Sequence, residues 1–376
     1  MTRWLRILLA LGLVVTFFFS QTKLELGPLV IYPPEILIYL WALVVLLGRD
    51  SRERLRQTIL SLPKEIKLAA ALILTGSLIA TVLPEFNRQS LGALKSWIIT
   101  PMLLGLLIAQ ARLRSRELYL YLALIGVGLV AVGLIGFEPN NPLARIQGIY
   151  QSPNIYAALT APLATFFYVL WRTREQPRLV LLVLTIALLS AVALSRSIGA
   201  IFGAGVMIGF YELTRQRRLS WPMAVLAAGF VLLCVGLIAQ RLSLDNNSLE
   251  SRFQIWQTGL EIVRIYPVTG AGLRGFETLY PQIVGSQFSV PIEWAAPQAH
   301  NLLLSFWTNT GLLGLLGFSL LFYQVARLQK PGPAYLALGV IFFHGLVDAP
   351  YWRLDLAMLF WVYLASFYGK RAGNEQ

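Results

Sequence analysis

The residues able to do chemistry concentrate in and around one polar stretch of an otherwise apolar chain, roughly Leu242 to Leu316. It carries Arg252, Trp256, the glycines Gly270, Gly272 and Gly275, and His300 followed by Asn301. Imidazole is the side chain whose unperturbed pKa lies nearest neutrality, so His300 is a candidate base or hydrogen-bond donor over a cavity; the other reading is an interfacial histidine. Outside the stretch, Arg196 sits in Ser195-Arg196-Ser197 between two apolar runs with almost no loop. An ionisable group so close to hydrocarbon is a functional candidate by default, the alternative being a side chain that snorkels to lipid headgroups.

Two further groups belong to the inventory. The segment Glu138 to Asn154 is rich in Pro, Asn and Gly, which is turn chemistry; it is either a structural turn or a polar rim with Arg145 and Asn154 aimed at a ligand. His344 precedes Asp348 by four residues, so helical spacing puts both on one face, where they could simply satisfy each other. Gly270-Ala-Gly272-Leu-Arg-Gly275 spells a dinucleotide fingerprint, but that pattern has meaning only between a strand and a helix of a βαβ unit. Here it follows a helix, so Gly270 and Gly272 are read as backbone that turns sharply and approaches a ligand. The single cysteine, Cys234, lies inside an apolar run and reads as filler. No Asp-x-Asp pair, H-E-x-x-H or Walker loop is present, which argues against a nucleotide-sugar enzyme or an ATPase. No metal or cofactor is expected.

These residues must be positioned by membrane helices. The chain is 57% hydrophobic and 13% charged, with a mean hydropathy of +0.65, against about 25% charged residues in a soluble domain. About twelve apolar runs approach the roughly 20 residues that cross a bilayer as a helix: 4–20, 33–48, 66–83, 91–110, 117–136, 155–171, 179–195, 197–214, 221–239, 300–325, 334–349 and 354–368. The expectation is an all-α polytopic membrane protein, a single integral domain over residues 1–376, with residues 240–299 as one long loop between spans nine and ten.

Charge placement orients it. The net charge of +13 does not point to nucleic acid, because the loops on one side of the runs hold most of the Lys and Arg, as the positive-inside rule requires of cytoplasmic loops. Both termini are therefore expected in the cytoplasm, the long loop outside, and the first run is a retained span with no A-x-A-like cleavage site after it. Within the long loop, Phe253, Trp256, Leu260 and Val263 recur at spacings of three and four, predicting an amphipathic helix along the outer membrane face. Pro267 ends it. Ser305, Thr308, Asn309 and Thr310 then predict a polar lining on the run that follows His300.

The chain resembles the O-antigen ligase and polymerase-like membrane proteins, the Wzy-C family. The resemblance rests on Ser195-Arg196, Ser251-Arg252 with Trp256, Tyr266-Pro267-Val268-Thr269-Gly270-Ala271-Gly272, His300-Asn301 and Gly311-Leu-Leu-Gly314, supported by Gly148 to Asn154 and His344-Gly345-Leu346 with Asp348. It implies a GT-C-like helical fold in the bacterial inner membrane and a metal-independent glycosyltransferase working on the periplasmic face. Its donor would be a glycan on undecaprenyl diphosphate and its acceptor a glycan, a lipid core or a protein. By the resemblance, Arg196 and Arg252 hold the diphosphate and His300 serves the acceptor hydroxyl. Arginine suits that role because its planar fork pairs bidentately with phosphate. The competing class is a transporter or flippase of a lipid-linked sugar or small anion, which usually shows internal repeats and midplane charges; neither is visible here.

Overall fold

The computed structural model describes residues 12, 14, 17–26, 29–83, 88–111, 115–141, 144–173, 175, 177–215, 247–327 and 331–369. Most of the run 4–20, all of 221–239 with Cys234, and the start of the long loop lie outside them. The described chain is mostly helical, with one short hairpin of β1 (Leu24–Leu26) and β2 (Leu29–Ile31). The helices are α1 (Pro33–Leu47), α2 (Arg49–Ser61), α3 (Lys64–Val82), α4 (Arg88–Ala111), α5 (Ser115–Gly133), α6 (Pro153–Arg172), α7 (Arg178–Ser195) and α8 (Ile198–Arg215). After the undescribed segment come α9 (Asn247–Ile265), α10 (Gly275–Gln287), α11 (Leu302–Arg327), α12 (Pro333–His344) and α13 (Leu354–Gly369).

Among the described residues six helices are long and apolar enough to cross a membrane: α3, α4, α5, α6, α7 and α11. The runs 33–48, 334–349 and 354–368 fold as helices of 15, 12 and 16 residues, short of the roughly 20 needed for a full crossing. In α12 the reason is visible. The helix stops at His344, and the last residues of the apolar run turn at Gly345 and carry Asp348 sideways.

The core is built by close antiparallel packing. A Cβ on Gly76 of α3 would meet Gly314 N and Thr310 O of α11 at 2.6 and 2.7 Å, and one on Gly317 would meet Ala69 O at 2.6 Å. Small residues of this kind let membrane helices approach backbone to backbone. α6 is the central helix, with 78% of its spanning window buried, against 39% for α7. An apolar crevice among α1, α4, α5 and α13, lined in part by Trp41, Leu104, Leu122 and Met358, carries no charged side chain.

The connections sort onto two ends of the bundle. One end joins the C-termini of α5, α7 and α12 to the N-termini of α6, α8 and α11, through contacts such as Arg145 with Ser195, Gly199 with His344, and Leu302 with Gly345. The opposite end carries Arg49, Arg52, Arg54, Arg56, Lys64, Arg172, Arg178, Arg215 and Arg327 at helix termini and in α2.

The long loop folds as a cap on the first end. α9 forms as the pattern predicts and ends before Tyr266-Pro267, since the residue before proline is pushed out of helical geometry. Its buried face shares only Val263 with the predicted stripe and is centred on Ile255 and Ile262, which pack on Phe276, Tyr280, Val284 and Ala299, with Thr258 buried beside them. Phe253 and Leu260 of the predicted stripe stay exposed, at 59% and 56%, the arrangement an interfacial helix needs. The second helix of the cap, α10, is an element the sequence does not announce, because Pro281 reads as a breaker and falls inside it.

A buried ion pair joins α1 to α4. The fully buried Glu35 accepts from Lys95 Nζ, from Ser96 Oγ at 2.7 Å and from Tyr32 N at 3.0 Å. It docks α1 to the π-helical turn Leu94–Ile99 of α4. Glu35→Gln removes the charge and forces an amide donor into a site built of donors, so the variant should be about 2 kcal/mol less stable. Thermal unfolding in detergent checks this, and an unchanged midpoint would show the pair to be dispensable.

Candidate functional site

The site is built where α11 begins. The spanning helix starts at Leu302, so His300 and Asn301 lie in the loop just before it. Asn301 caps that helix: its Oδ1 accepts from Leu304 N at 3.0 Å, and its Nδ2 donates to Leu346 O at 3.0 Å. Leu302 N donates to Gly345 O at 2.6 Å. The turn after α12 is thereby fastened to the start of α11, which brings both histidines of the chain to one carboxylate.

His300 Nδ1 lies 3.0 Å from Asp348 Oδ1, and His344 Nε2 lies 3.7 Å from Asp348 Oδ2. Asp348 Oδ1 also accepts from Ala349 N at 2.8 Å. The carboxylate accepts, so His300 carries its proton on Nδ1 and its Nε2 is left with a lone pair. The His300 side chain keeps 27% of its surface, Asp348 17% and His344 2%. Only the His300 ring is therefore open to a ligand. Burial disfavours its charged form, but the hydrogen bond and charge of Asp348 outweigh that and hold its pKa above the ordinary imidazole value. Arg252 on α9 lowers it and Glu293 raises it, so both lie within electrostatic reach of the ring. The three titratable groups are strung along one carboxylate; among the described residues no group of three His, Cys, Asp or Glu converges as metal ligands would.

Backbone conformation singles out the same places. Among the described residues, those other than glycine with positive φ are Arg196 at 51°, Arg274 at 71° and His300 at 44°. Such conformations cost roughly 1–3 kcal/mol and persist where the surroundings enforce them. For His300 the enforcement comes partly from Trp256, whose Nε1 donates to His300 O at 3.1 Å. At Arg196 the tight turn is held by Arg145, whose Nε donates to Ser195 O at 2.8 Å and whose Nη2 donates to Asn154 Oδ1 at 3.0 Å. Arg145, Asn154 and Trp256 are thus occupied in holding Arg196 and His300. Among the described residues no hydrogen bond or ion pair engages the half-buried guanidinium of Arg196 or that of Arg252.

The glycines do something else than expected. A Cβ on Gly270, which has φ 67°, would sit 2.6 Å from Gly311 N and 2.8 Å from Thr308 O. The close approach is to α11, whose helix is broken at Gly311. The bonds this frees are taken up by the crossing segment: Leu312 N donates to Val268 O at 3.0 Å and Ala271 N to Thr308 O at 2.7 Å. Gly272, with φ 96°, lets the chain leave toward α10. Gly270 and Gly272 serve the seating of the cap on the bundle. Ser305, Thr308, Asn309 and Thr310 are fully buried, as the polar stripe predicts. Asn309 Oδ1 accepts from Arg274 N at 3.2 Å and its Nδ2 donates to Gln298 Oε1 at 2.9 Å, pinning the start of α10 and the last turn of the cap.

One feature escapes a reading of the sequence. His344 and Asp348 can be paired by spacing, but that Asp348 also meets His300 needs the fold. Glu293, which with Trp294 belongs to the loop 276–299 expected on the acceptor side, is an exposed carboxylate held by the buried Ser251 Oγ, one residue from Arg252.

No curated protein matches the chain. Residues 149–319 match the family model described as O-antigen ligase, a stretch that runs from the loop before α6 through the cap and His300 into the broken helix α11, so over just under half of its length this membrane protein is similar to the O-antigen ligase family.

Proposed function

We propose that this protein is a glycosyltransferase of the periplasmic face of the bacterial inner membrane, transferring a glycan from undecaprenyl diphosphate to an acceptor sugar without a metal, as an O-antigen ligase or polymerase does. The carrying observation is His300, oriented by Asp348 through Nδ1 and open at Nε2, within electrostatic reach of Arg252. In the proposed step Nε2 takes the proton of the acceptor hydroxyl. The oxygen attacks the anomeric carbon, the bond from that carbon to the diphosphate breaks, and its electron pair stays on the diphosphate oxygen. Arg252 and Arg196, whose forks are otherwise unoccupied among the described residues, neutralise the charge that develops there. Diphosphate is already a good leaving group, so the reaction needs no metal to proceed.

The charge on the two ends of the bundle supports this orientation. The end opposite the site gathers the basic helix termini, as a cytoplasmic face does, which supports a reading with both chain termini in the cytoplasm and the cap, within residues 240–299, outside. The full chain of about twelve spans then forms one integral domain over residues 1–376. The exposed Phe253 and Leu260 of α9 support a cap resting on the outer headgroups. The exposed carboxylate of Glu293 and the neighbouring Trp294 suit an acceptor sugar, the one as a hydroxyl partner and the other as an apolar platform.

The test is transfer from a labelled undecaprenyl-diphosphate glycan to candidate acceptors by purified protein. Arg196→Ala and Arg252→Ala should each lower kcat/KM for the donor on the order of 100-fold while insertion is unchanged. Transfer at the original rate in both variants would end this reading. The identity of the labelled product separates ligase from polymerase.

A further inference from the structure

His344 is too deeply buried to touch a substrate, yet it stands between the two halves of the site. Its Nε2 faces Asp348 Oδ2 at 3.7 Å, on the side of the carboxylate away from His300. The same edge of the ring, Cδ2 and Nε2, lies against the start of α8, the helix that follows Arg196. A Cβ on Gly199 would sit 2.7 Å from His344 Cδ2 and 2.6 Å from Val347 Cγ2, and one on Gly203 would sit 3.2 Å from His344 N. Glycine at 199 is what allows the ring to fill the space between α8 and Asp348.

We propose that His344 is a positioning residue, which holds the Asp348 carboxylate turned toward His300 and sets the distance between that pair and the Arg196 turn. The inference rests on the reading of His300 as the base. A carboxylate with one oxygen on His300 and Ala349 and the other on His344 has a single orientation. At 3.7 Å the contact is longer than a direct hydrogen bond, so His344 acts on Oδ2 through the polarity of its ring and by filling the space beside it; with an apolar group at 344 the carboxylate is free to turn, which weakens the bond that keeps the His300 tautomer. The groups facing the His300 ring are Asp348, Arg252 from α9 and Glu293 from the loop before α11; the group facing His344 is Asp348.

The chain has two histidines, so a variant at 344 leaves His300 as the lone imidazole, and its titration can be followed by NMR of histidine-labelled protein in nanodiscs. His344→Phe fills the space without a donor, and His344→Gln restores a donor. In His344→Phe the titration midpoint of His300 should fall toward the ordinary value, and kcat should drop about tenfold, a fraction of what a general base contributes, with KM for the donor little changed. His344→Gln should recover most of both. An unchanged midpoint in His344→Phe, or a glutamine variant as impaired as the phenylalanine one, would overturn the proposal. The titration reads position without any turnover. If Arg196→Ala, Arg252→Ala and His300→Ala all keep activity while the midpoint moves as stated, it is the proposed reaction that fails and not the positioning.

Discussion

His300→Ala is expected to abolish nearly all glycan transfer, about 10³-fold in kcat, while the protein still inserts and unfolds at the original temperature. The size follows from the role, since a positioned general base contributes typically about 10² to 10⁴. The preserved fold follows from the geometry. The side chain is part exposed and hydrogen-bonds only to Asp348, while the structural bonds at this position are made by its backbone and by Asn301. The pH profile separates a base from a mere binding group. His300 must be neutral to accept a proton, and its folded pKa is raised above the usual value of about 6.5. Activity should therefore rise with pH through a midpoint on the alkaline side of 6.5. Asp348→Asn removes the charge that raises this pKa, so the limb should move to lower pH even as the maximal rate falls. A profile unmoved by Asp348→Asn would mean that some other group supplies the limb.

Why His300 was legible before the fold, and Asp348 only in part, follows from what each kind of signal encodes. A histidine where a polar loop meets an apolar run, and an arginine in a two-residue link between two such runs, stand out because burying them is costly; the anomaly is local in sequence. The tie from Asp348 to His300 spans 48 residues and depends on α12 stopping at His344 and on Asn301 holding the following turn, which no periodicity reports. The glycines show the complementary error. Their pattern correctly demanded a sharp turn and a close approach, but spacing cannot say what is approached, and the partner is the backbone of α11. Arg145, Asn154 and Trp256 stand out in the sequence as candidates to meet a ligand, but spacing does not report that Arg145 bonds to Ser195 O and Asn154, or that Trp256 bonds to His300 O. Hydropathy marks α3 to α7 and α11 well, because each is long and apolar along its length. It overran at α12, where an apolar composition continues past the end of the helix, and it had no means to see α10, a short helix with a proline inside.

The second large effect is expected at Gly311, which joins the cap to the bundle. Its φ of 66° and ψ of −168° lie in a region that essentially only glycine occupies. A Cβ there would stand 2.1 Å from Val268 O and 2.6 Å from Thr269 C, and both are backbone atoms of a crossing segment with no room to retreat. Gly311→Ala must therefore either strain the break or push the segment 267–271 away from α11. The second course gives up the bonds of Leu312 N to Val268 O and Ala271 N to Thr308 O, inside a bundle where unpaired backbone is costly. By either course, strain of about 1–3 kcal/mol or two lost buried bonds at about 1–3 kcal/mol each, the variant should be less stable by about 3 kcal/mol, with a lower midpoint of thermal unfolding and little protein in the membrane. Gly209→Ala is the matched control: it lies in α8, its Cβ would meet nothing within 4 Å, and alanine there should be neutral or gain up to about 1 kcal/mol. If Gly311→Ala unfolds at the temperature of Gly209→Ala, the broken helix is not what seats the cap, which must then be held by the packing of α9 on α11 at Gly259 and Leu304 instead.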